Sequence, residues 1–290
     1  MPVGHPRGAG PRPPGLTGVQ GQPPPLDFGK IVPLLRSAGC VFAEEEARLL
    51  LTEGSGPAEL SRAVRRRMEG VPLEHILGWA EFSGLRVLVE PGVFVPRRRT
   101  ELLVNEAVAV LQNHSLPESP VVVDLCCGSG AVGAAIVQHV PRVELHAADV
   151  EPAAVRCARR NLDPLGAHVH EGDLFKALPP ALRGRVGVLA VNAPYVPTGA
   201  IPTMPPEARL FEPPGSLDGG RDGLDFHRRV AAEARAWLAP GGSLLIETSQ
   251  RQVGGTSALL AAAGFAVKAV HSGDLDGTVA LGRAPASPQR

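Results

Sequence analysis

Val121-Val122-Val123-Asp124-Leu125-Cys126-Cys127-Gly128-Ser129-Gly130-Ala131-Val132-Gly133 is the stretch on which the fold turns. A short run of β-branched residues reads as a buried strand. It breaks at glycines, and the small apolar residues after them read as a helix start. Gly128, Gly130 and Gly133 have the GxGxxG spacing of a strand-to-helix turn, where missing Cβ atoms let the backbone approach a ligand. Asp149, 19 residues past Gly130, ends the next apolar run and is placed to accept from ribose hydroxyls. On these features alone the loop fits a dinucleotide or S-adenosyl-L-methionine.

Two features favour the second. Asp124 ends the strand four residues before the first glycine, where a pyrophosphate is repelled and a cationic methionine end is welcome. Gly172-Asp173-Leu174-Phe175 closes the third strand, where Asp173 can take an adenine amino group and Phe175 can cover the ring. The cofactor set is therefore Asp124, Cys126, Gly128, Ser129, Gly130, Asp149, Val150, Asp173, Leu174 and Asn192. The vicinal Cys126 and Cys127 read as small turn residues.

Working outward, Val143–Ala148, Ala167–His170, Val186–Val191 and Ser243–Glu247 read as strands. Helices Ala131–His139, Ala153–Asn161, Phe226–Leu238 and about Gln252–Ala263 alternate with them. That alternation predicts a doubly wound, mostly parallel α/β sheet, closed at one edge by a hairpin of Ala266–His271 and Thr278–Leu281. Upstream the period is helical. Ile31, Leu34 and Leu35 share a face, Ala47, Leu50 and Leu51 follow the acidic run Glu44–Glu46, and Leu60, Val64 and Met68 form a stripe. Arg62, Arg65, Arg66 and Arg67 read as the solvated face of that third helix, or else as a partner-binding surface. Leu85, Val87 and Val89 alternate as in a hairpin. The predicted organisation is a disordered Pro/Gly-rich tail over 1–26, a helical substrate-recognition domain over 27–80, a β-hairpin linker over 81–99 and the sheet domain over 100–290.

Composition narrows the function. Of 290 residues, 29 are basic and 29 acidic, so net charge is zero, which argues against a general nucleic-acid coat or polybasic membrane tether. Aromatics are 4 %, too few for a base-stacking platform. The four cysteines (Cys40, Cys126, Cys127, Cys157) have neither CxxC nor His/Cys ligand spacing, so no metal site and no disulfide framework is expected. Without a signal peptide core or an apolar run of the ~18 residues a spanning helix needs, a cytoplasmic protein is expected, with nothing demanding more than a monomer.

The second informative stretch is Asn192-Ala193-Pro194-Tyr195-Val196-Pro197-Thr198, a rigid turn after the fourth strand that carries an amide side chain at the sheet's carboxyl end. Asn192, Ala193, Pro194 and Tyr195 are the candidate catalytic residues. The run resembles the Asn-Pro-Pro-Tyr of methyltransferases acting on amide or exocyclic nitrogens, with Ala193 in place of the first proline. With Pro202, Pro205-Pro206-Glu207, Glu212-Pro213 and Leu217-Asp218-Gly219-Gly220-Arg221-Asp222-Gly223-Leu224, it is similar to the release-factor glutamine methyltransferases, the HemK/PrmC family. Pro96-Arg97-Arg98-Arg99-Thr100-Glu101 resembles that family's Pro-Arg-Pro-Glu-Thr-Glu, with Arg98 and Arg99 as departures.

The resemblance spans about Pro72 to Arg283. It implies a small helical domain beside a Rossmann-like S-adenosylmethionine-dependent methyltransferase domain. It also implies methylation of the glutamine amide in the Gly-Gly-Gln loop of a class I peptide chain release factor. The residues support this chemistry. The Asn192 side-chain oxygen and the Ala193 carbonyl can each accept one amide N–H, aiming the nitrogen at a sulfonium methyl and stabilising the charge it acquires. Tyr195 can pack on the acceptor's planar group. Other readings are a nucleic-acid adenine methyltransferase acting on a flipped base, a binding protein that holds S-adenosylmethionine without turnover, and a dehydrogenase. The last has no hydride-site residue and leaves the Asn192 turn unexplained.

Overall fold

In a computed structural model, residues 26–113 and 119–286 are described. The expected tail falls, apart from Leu26, outside the described residues. Near the N-terminus, α1 (Phe28–Ser37), α2 (Ala43–Glu53) and α3 (Pro57–Met68) bury Ile31, Leu35, Ala43, Ala47, Leu50, Leu60 and Val64 in a small core of their own. Asp27 caps α1 by accepting from the Lys30 amide at 3.0 Å. A short α4 (Leu73–Leu77), too brief to show a period in the sequence, leads into the hairpin β1 (Trp79–Phe82) and β2 (Leu85–Leu88). The hairpin therefore begins inside the span expected to be helical.

Beyond the hairpin come α5 (Glu101–Asn113), β3 (Val121–Leu125), α6 (Ala131–His139), β4 (Glu144–Asp149), α7 (Pro152–Leu162), β5 (His168–Glu171) and β6 (Val186–Val191). Then follow α8 (Pro206–Phe211), α9 (Asp225–Ala234), β7 (Leu238–Thr248), α10 (Val253–Ala262), β8 (Ala266–Ser272) and β9 (Gly277–Arg283). The strands form one sheet in the order β5-β4-β3-β6-β7-β9-β8. Parallel pairing runs from β5 to β7, and β9 pairs antiparallel with both its neighbours. This is the doubly wound Rossmann-like sheet expected, with its closing edge hairpin.

β3 is central and buried at every residue. Period-2 alternation divides it: Val122 packs with the core of α5 and α6, while Val121, Val123 and Leu125 pack with that of α9 and α10. β7 starts at Leu238, earlier than expected, and runs through Pro240-Gly241-Gly242, because Leu238 pairs with Val186 and the register then resumes at Ser243 opposite Val188. α9 correspondingly ends at Ala234.

The expectation of a wholly solvated arginine face on α3 fails at Arg67. Its guanidinium is buried, donates to both carboxylate oxygens of Glu46 at 2.6 and 3.0 Å, and pairs with Glu207 of α8 at 2.6 Å. Leu60, Val64 and Arg67 form the inward stripe, and Met68 is exposed. A single long side chain thus ties the N-terminal helices to the segment after the Asn192 turn. Truncating one member of such a buried pair strands the other charges, at a cost of about 3 kcal/mol or more. Arg67→Ala should therefore lower the urea midpoint well below that of Arg66→Ala, whose side chain is exposed. Equal midpoints would show that the bridge contributes nothing.

Candidate active site

The sheet order changes direction at β3: the chain first moves outward through β4 and β5, then returns to the other side with β6. The crevice at such a switch point, outside the strands' carboxyl ends, is where open α/β sheets bind ligands. The Gly128 loop follows β3 and the Asn192 turn follows β6, so both motifs meet there. A cavity of about 420 Å³ fills the crevice. Among the residues singled out from the sequence, Asp124, Cys126, Gly128, Ser129, Asp149, Val150, Asp173, Leu174, Asn192, Ala193, Pro194 and Tyr195 all line it.

Gly130 does not line the cavity. It sits at the N-terminus of α6 at φ +79°, where a Cβ would come within 2.7 Å of Leu162. Its absent side chain serves packing against α7. Gly128 also has positive φ, and so, without being glycine, do Cys126 (+61°) and Leu174 (+49°). Left-handed backbone at non-glycine residues concentrates at functional sites, and both residues lie on the cavity wall.

Two carboxylates shape the electrostatics. Asp124 is buried and accepts the Gly133 amide at 2.9 Å. Burial pushes its pKa up to about 7, against that hydrogen bond, with the Asp149 charge adding to the rise. Asp149 accepts the amides of Gly128 (2.8 Å) and Glu151 (2.9 Å), so it orders the glycine loop while keeping lone pairs for a ligand. Asp173 is more exposed, and the Arg229 guanidinium holds its carboxyl below the usual range, with both oxygens 2.6 Å from Nη2. Phe175 does not cover the cavity. It is buried in the core, stacked on Trp237 at 5.6 Å, whereas Phe82, Phe94, Tyr195 and Phe226 are the aromatic residues that line the wall. The sequence places Phe175 next to Asp173 but does not reveal that the chain turns inward at Leu174. Burial also raises the Cys126 and Cys127 thiols well above their ordinary value, leaving neither as a nucleophile.

The Asn192 turn is braced from three sides. Asn192 Nδ2 donates to Thr100 Oγ1 at 3.4 Å, the Tyr195 hydroxyl donates to Glu247 Oε1 at 3.1 Å, and Gln252 Nε2 donates to the Tyr195 carbonyl at 2.8 Å. The glycines of Leu217–Leu224 let that loop lie on the turn. A Cβ on Gly219 would meet Tyr195 Cα at 2.7 Å, and one on Gly223 would meet the Tyr195 carbonyl at 2.3 Å. Gly219 N–H donates to the Val196 carbonyl and Val196 N–H to the Leu217 carbonyl. Arg97 pairs with buried Glu212, which also accepts the Val95 amide, so the linker after the hairpin is fastened to the segment after the turn.

Glu247, Gln252 and Asn161 have no place in the sequence-derived site, and Thr100 enters it only within the Pro96–Glu101 motif, without a role of its own. Asn161 of α7 joins β2 to the glycine loop by accepting from the Leu88 amide and donating to the Leu88 and Ser129 carbonyls, each at 2.9 Å. Isolated polar residues at helix and strand ends carry no local signal for such roles. No three or more His, Cys, Asp or Glu residues are grouped to hold a metal ion among the described residues, and none of the described helices is long and apolar enough to cross a membrane.

Fold and site define a Rossmann-like methyltransferase. A family model, Methyltransferase small domain, matches residues 84–199. A methyltransferase structure from Pyrococcus furiosus superposes with a TM-score of 0.50 at 15 % identity, covering 70 % of this chain and 90 % of that one. A release factor glutamine methyltransferase of Geobacter sulfurreducens is 36 % identical over 72 % of this chain and 72 % of its own length. A second, from Streptomyces coelicolor, is 39 % identical over 66 % and 67 %. A 4-amino-L-phenylalanine/4-methylamino-L-phenylalanine methyltransferase of Streptomyces pristinaespiralis is 37 % identical over 80 % and 79 %. The chain belongs to the release factor glutamine methyltransferase family.

Asp124 yields a pH signature in the ligand-free protein. Its pKa is raised on folding, so the folded state is favoured while the carboxyl is neutral. That stability is lost as pH rises from the ordinary value of 3.8 to about 7. Asp124→Asn should melt above wild type at pH 8, and the gap should narrow steadily toward pH 4. A pH-independent gap in thermal midpoints would contradict the assignment.

Proposed function

We propose that the protein transfers the methyl group of S-adenosylmethionine to the side-chain amide nitrogen of a glutamine, in the Gly-Gly-Gln loop of a class I peptide chain release factor, in the cytoplasm. The observation that carries this reading is the meeting of the Asn192 turn with the two-carboxylate glycine loop in one cavity at the switch point. The cavity suits the donor. Buried Asp124, whose charged form is costly in the empty site, gains most from a cationic amino group; Asp149 offers its remaining lone pairs to hydroxyls, and Val150, Leu174 and Phe226 offer apolar wall to a flat base. When bound, the donor supplies an electrophilic methyl on a sulfonium.

The residues of the chain supply the rest. An amide nitrogen is a poor nucleophile because its lone pair is delocalised into the carbonyl. The Asn192 side-chain oxygen and the Ala193 carbonyl accept its two N–H bonds and fix its direction. Both contacts strengthen as positive charge develops on nitrogen, so they favour the transition state over the ground state. Alanine at 193 retains the carbonyl, and the loops packed on Tyr195 supply rigidity that a proline would otherwise add. The methylated nitrogen is acidic and releases its proton to water, so a strong base is not required.

The similarity to the aminophenylalanine methyltransferase supports a second reading, a small arylamine acceptor. A labelled-donor assay offering release factor and 4-amino-L-phenylalanine side by side separates the two. Expected is label on the glutamine of the Gly-Gly-Gln peptide by mass spectrometry; label only on the arylamine would replace the first reading with the second. Asn192→Ala should lower turnover by roughly two to three orders of magnitude, the scale of one preorganised polar contact, with donor affinity little changed by calorimetry. Asp149→Ala should instead weaken donor binding. Wild-type turnover in the first variant, or wild-type affinity in the second, would remove the role given to that residue.

A further inference from the structure

The carboxyl edge of the sheet gives the cavity a direction. Asn192 follows β6, Cys126 follows β3, Asp149 closes β4 and Asp173 lies two residues past β5, in the order of the strands themselves. With Asn192 assigned to the methyl acceptor and Asp149 to the donor's hydroxyls, the β5 end is left for the donor's base. Asp173, Leu174 and Phe226 all line the cavity.

Asp173 is held differently from the other acids of the loop. Backbone amides donate to the carboxylates of Asp124 and Asp149, but among the described residues none donates to that of Asp173. Two cations hold it instead. Lys176, three residues on, stands 3.4 Å from Oδ2 with its side chain 79 % exposed. Arg229 of α9 places Nη2 at 2.6 Å from both oxygens, with its side chain 43 % exposed. The Arg229 guanidinium also lies 5.7 Å from the centroid of the Phe226 ring, one turn earlier on the same helix. Arg229 does not itself line the cavity, whereas the two side chains it holds do.

An ion pair this exposed contributes little to stability, and its consequence is geometric. A guanidinium anchored on a helix is planar, while an ammonium on a solvated stem is a mobile point charge, so Arg229 rather than Lys176 sets the plane of the Asp173 carboxylate. Each oxygen keeps a further lone pair. Held below its usual range by Arg229, the carboxyl is ionised at neutral pH and can only accept. We infer that Arg229 is a positioning residue for the donor's base, turning the free lone pairs of Asp173 toward the 6-amino group of adenine and fixing the Phe226 ring beside it. Without Arg229, Lys176 draws the carboxylate toward solvent. A base with oxygen at that position would set a lone pair against an anion, a contact such a site rejects. The inference rests on the cavity holding S-adenosylmethionine, whichever acceptor is methylated.

The test is calorimetric binding of two probes to the full-length protein, S-adenosylhomocysteine and S-inosylhomocysteine, the second carrying oxygen in place of the 6-amino group. Wild type should prefer the first by roughly ten- to a hundredfold, the scale of a hydrogen bond to a charged group. Asp173→Asn should erase most of that preference. Arg229→Ala should do the same by weakening S-adenosylhomocysteine, while S-inosylhomocysteine binds as it does to wild type. Arg229→Lys, which keeps the charge without the planar group, should also lose most of the selectivity. Arg229→Ala added to Asp173→Asn should cost no further selectivity. A merely structural role for Arg229 would weaken both probes alike, and that result overturns the inference. So does full selectivity in either Arg229 variant, or a wild type indifferent to the two probes. Selectivity that responds as described, in a protein that labels no glutamine, refutes the proposed acceptor and leaves the role of Arg229 standing.

Discussion

The site depends on a single constraint, the register of four adjacent parallel strands. Leu125 pairs with Ala148 on one side and Val191 on the other, and Val191 pairs with Ile246. One residue past each pair lie Asp149, Cys126, Asn192 and Glu247, side by side along the carboxyl edge of β4, β3, β6 and β7. The row cannot be shifted cheaply. A one-residue slip would send Val121, Val123 and Leu125 to the opposite face of the sheet and unpack two cores. The apolar residues that stabilise the sheet are thus the same ones that hold the Gly128 loop and the Asn192 turn at fixed separation.

Around this row the chain spends polar groups on rigidity rather than on solvent contact. Asn161 fastens the glycine loop to the hairpin, Arg97 and Glu212 fasten the linker to the segment beyond the turn, and Arg67 fastens the N-terminal helices to α8. Buried polar side chains are costly unless satisfied, and here each joins two elements distant in sequence. The last of these links also holds the helical N-terminal segment against α8, whose Glu207 lines the cavity.

Much of this was legible in the sequence. The β-branched run before Gly128, the acids next to the end of β3 and at the end of β4, and the Asn-Ala-Pro-Tyr turn are local patterns, and local backbone chemistry fixes them. Phe175 and Arg67 were misread because a side chain's neighbours are not a local property. Phe175 sits beside a cavity-lining residue but is carried inward by the left-handed backbone at Leu174. Arg67 sits in a run of arginines, yet its position on α3 coincides with the inward stripe of Leu60 and Val64, where Glu46 awaits it.

By itself the sequence determined the alternation of strands and helices, the glycine loop, the Asn192 turn and the chemistry these residue types can perform, because each is encoded within a few consecutive positions. Only the tertiary structure decided that Thr100, Glu247 and Gln252 surround Asn192 and Tyr195, and that Gly130 serves packing rather than ligand approach. The physical reason is that strand pairing joins residues as much as 66 positions apart and so brings together side chains still further separated, such as Thr100 and Asn192, 92 apart. A lone threonine, glutamate or glutamine carries no trace of its partner until the sheet closes around it.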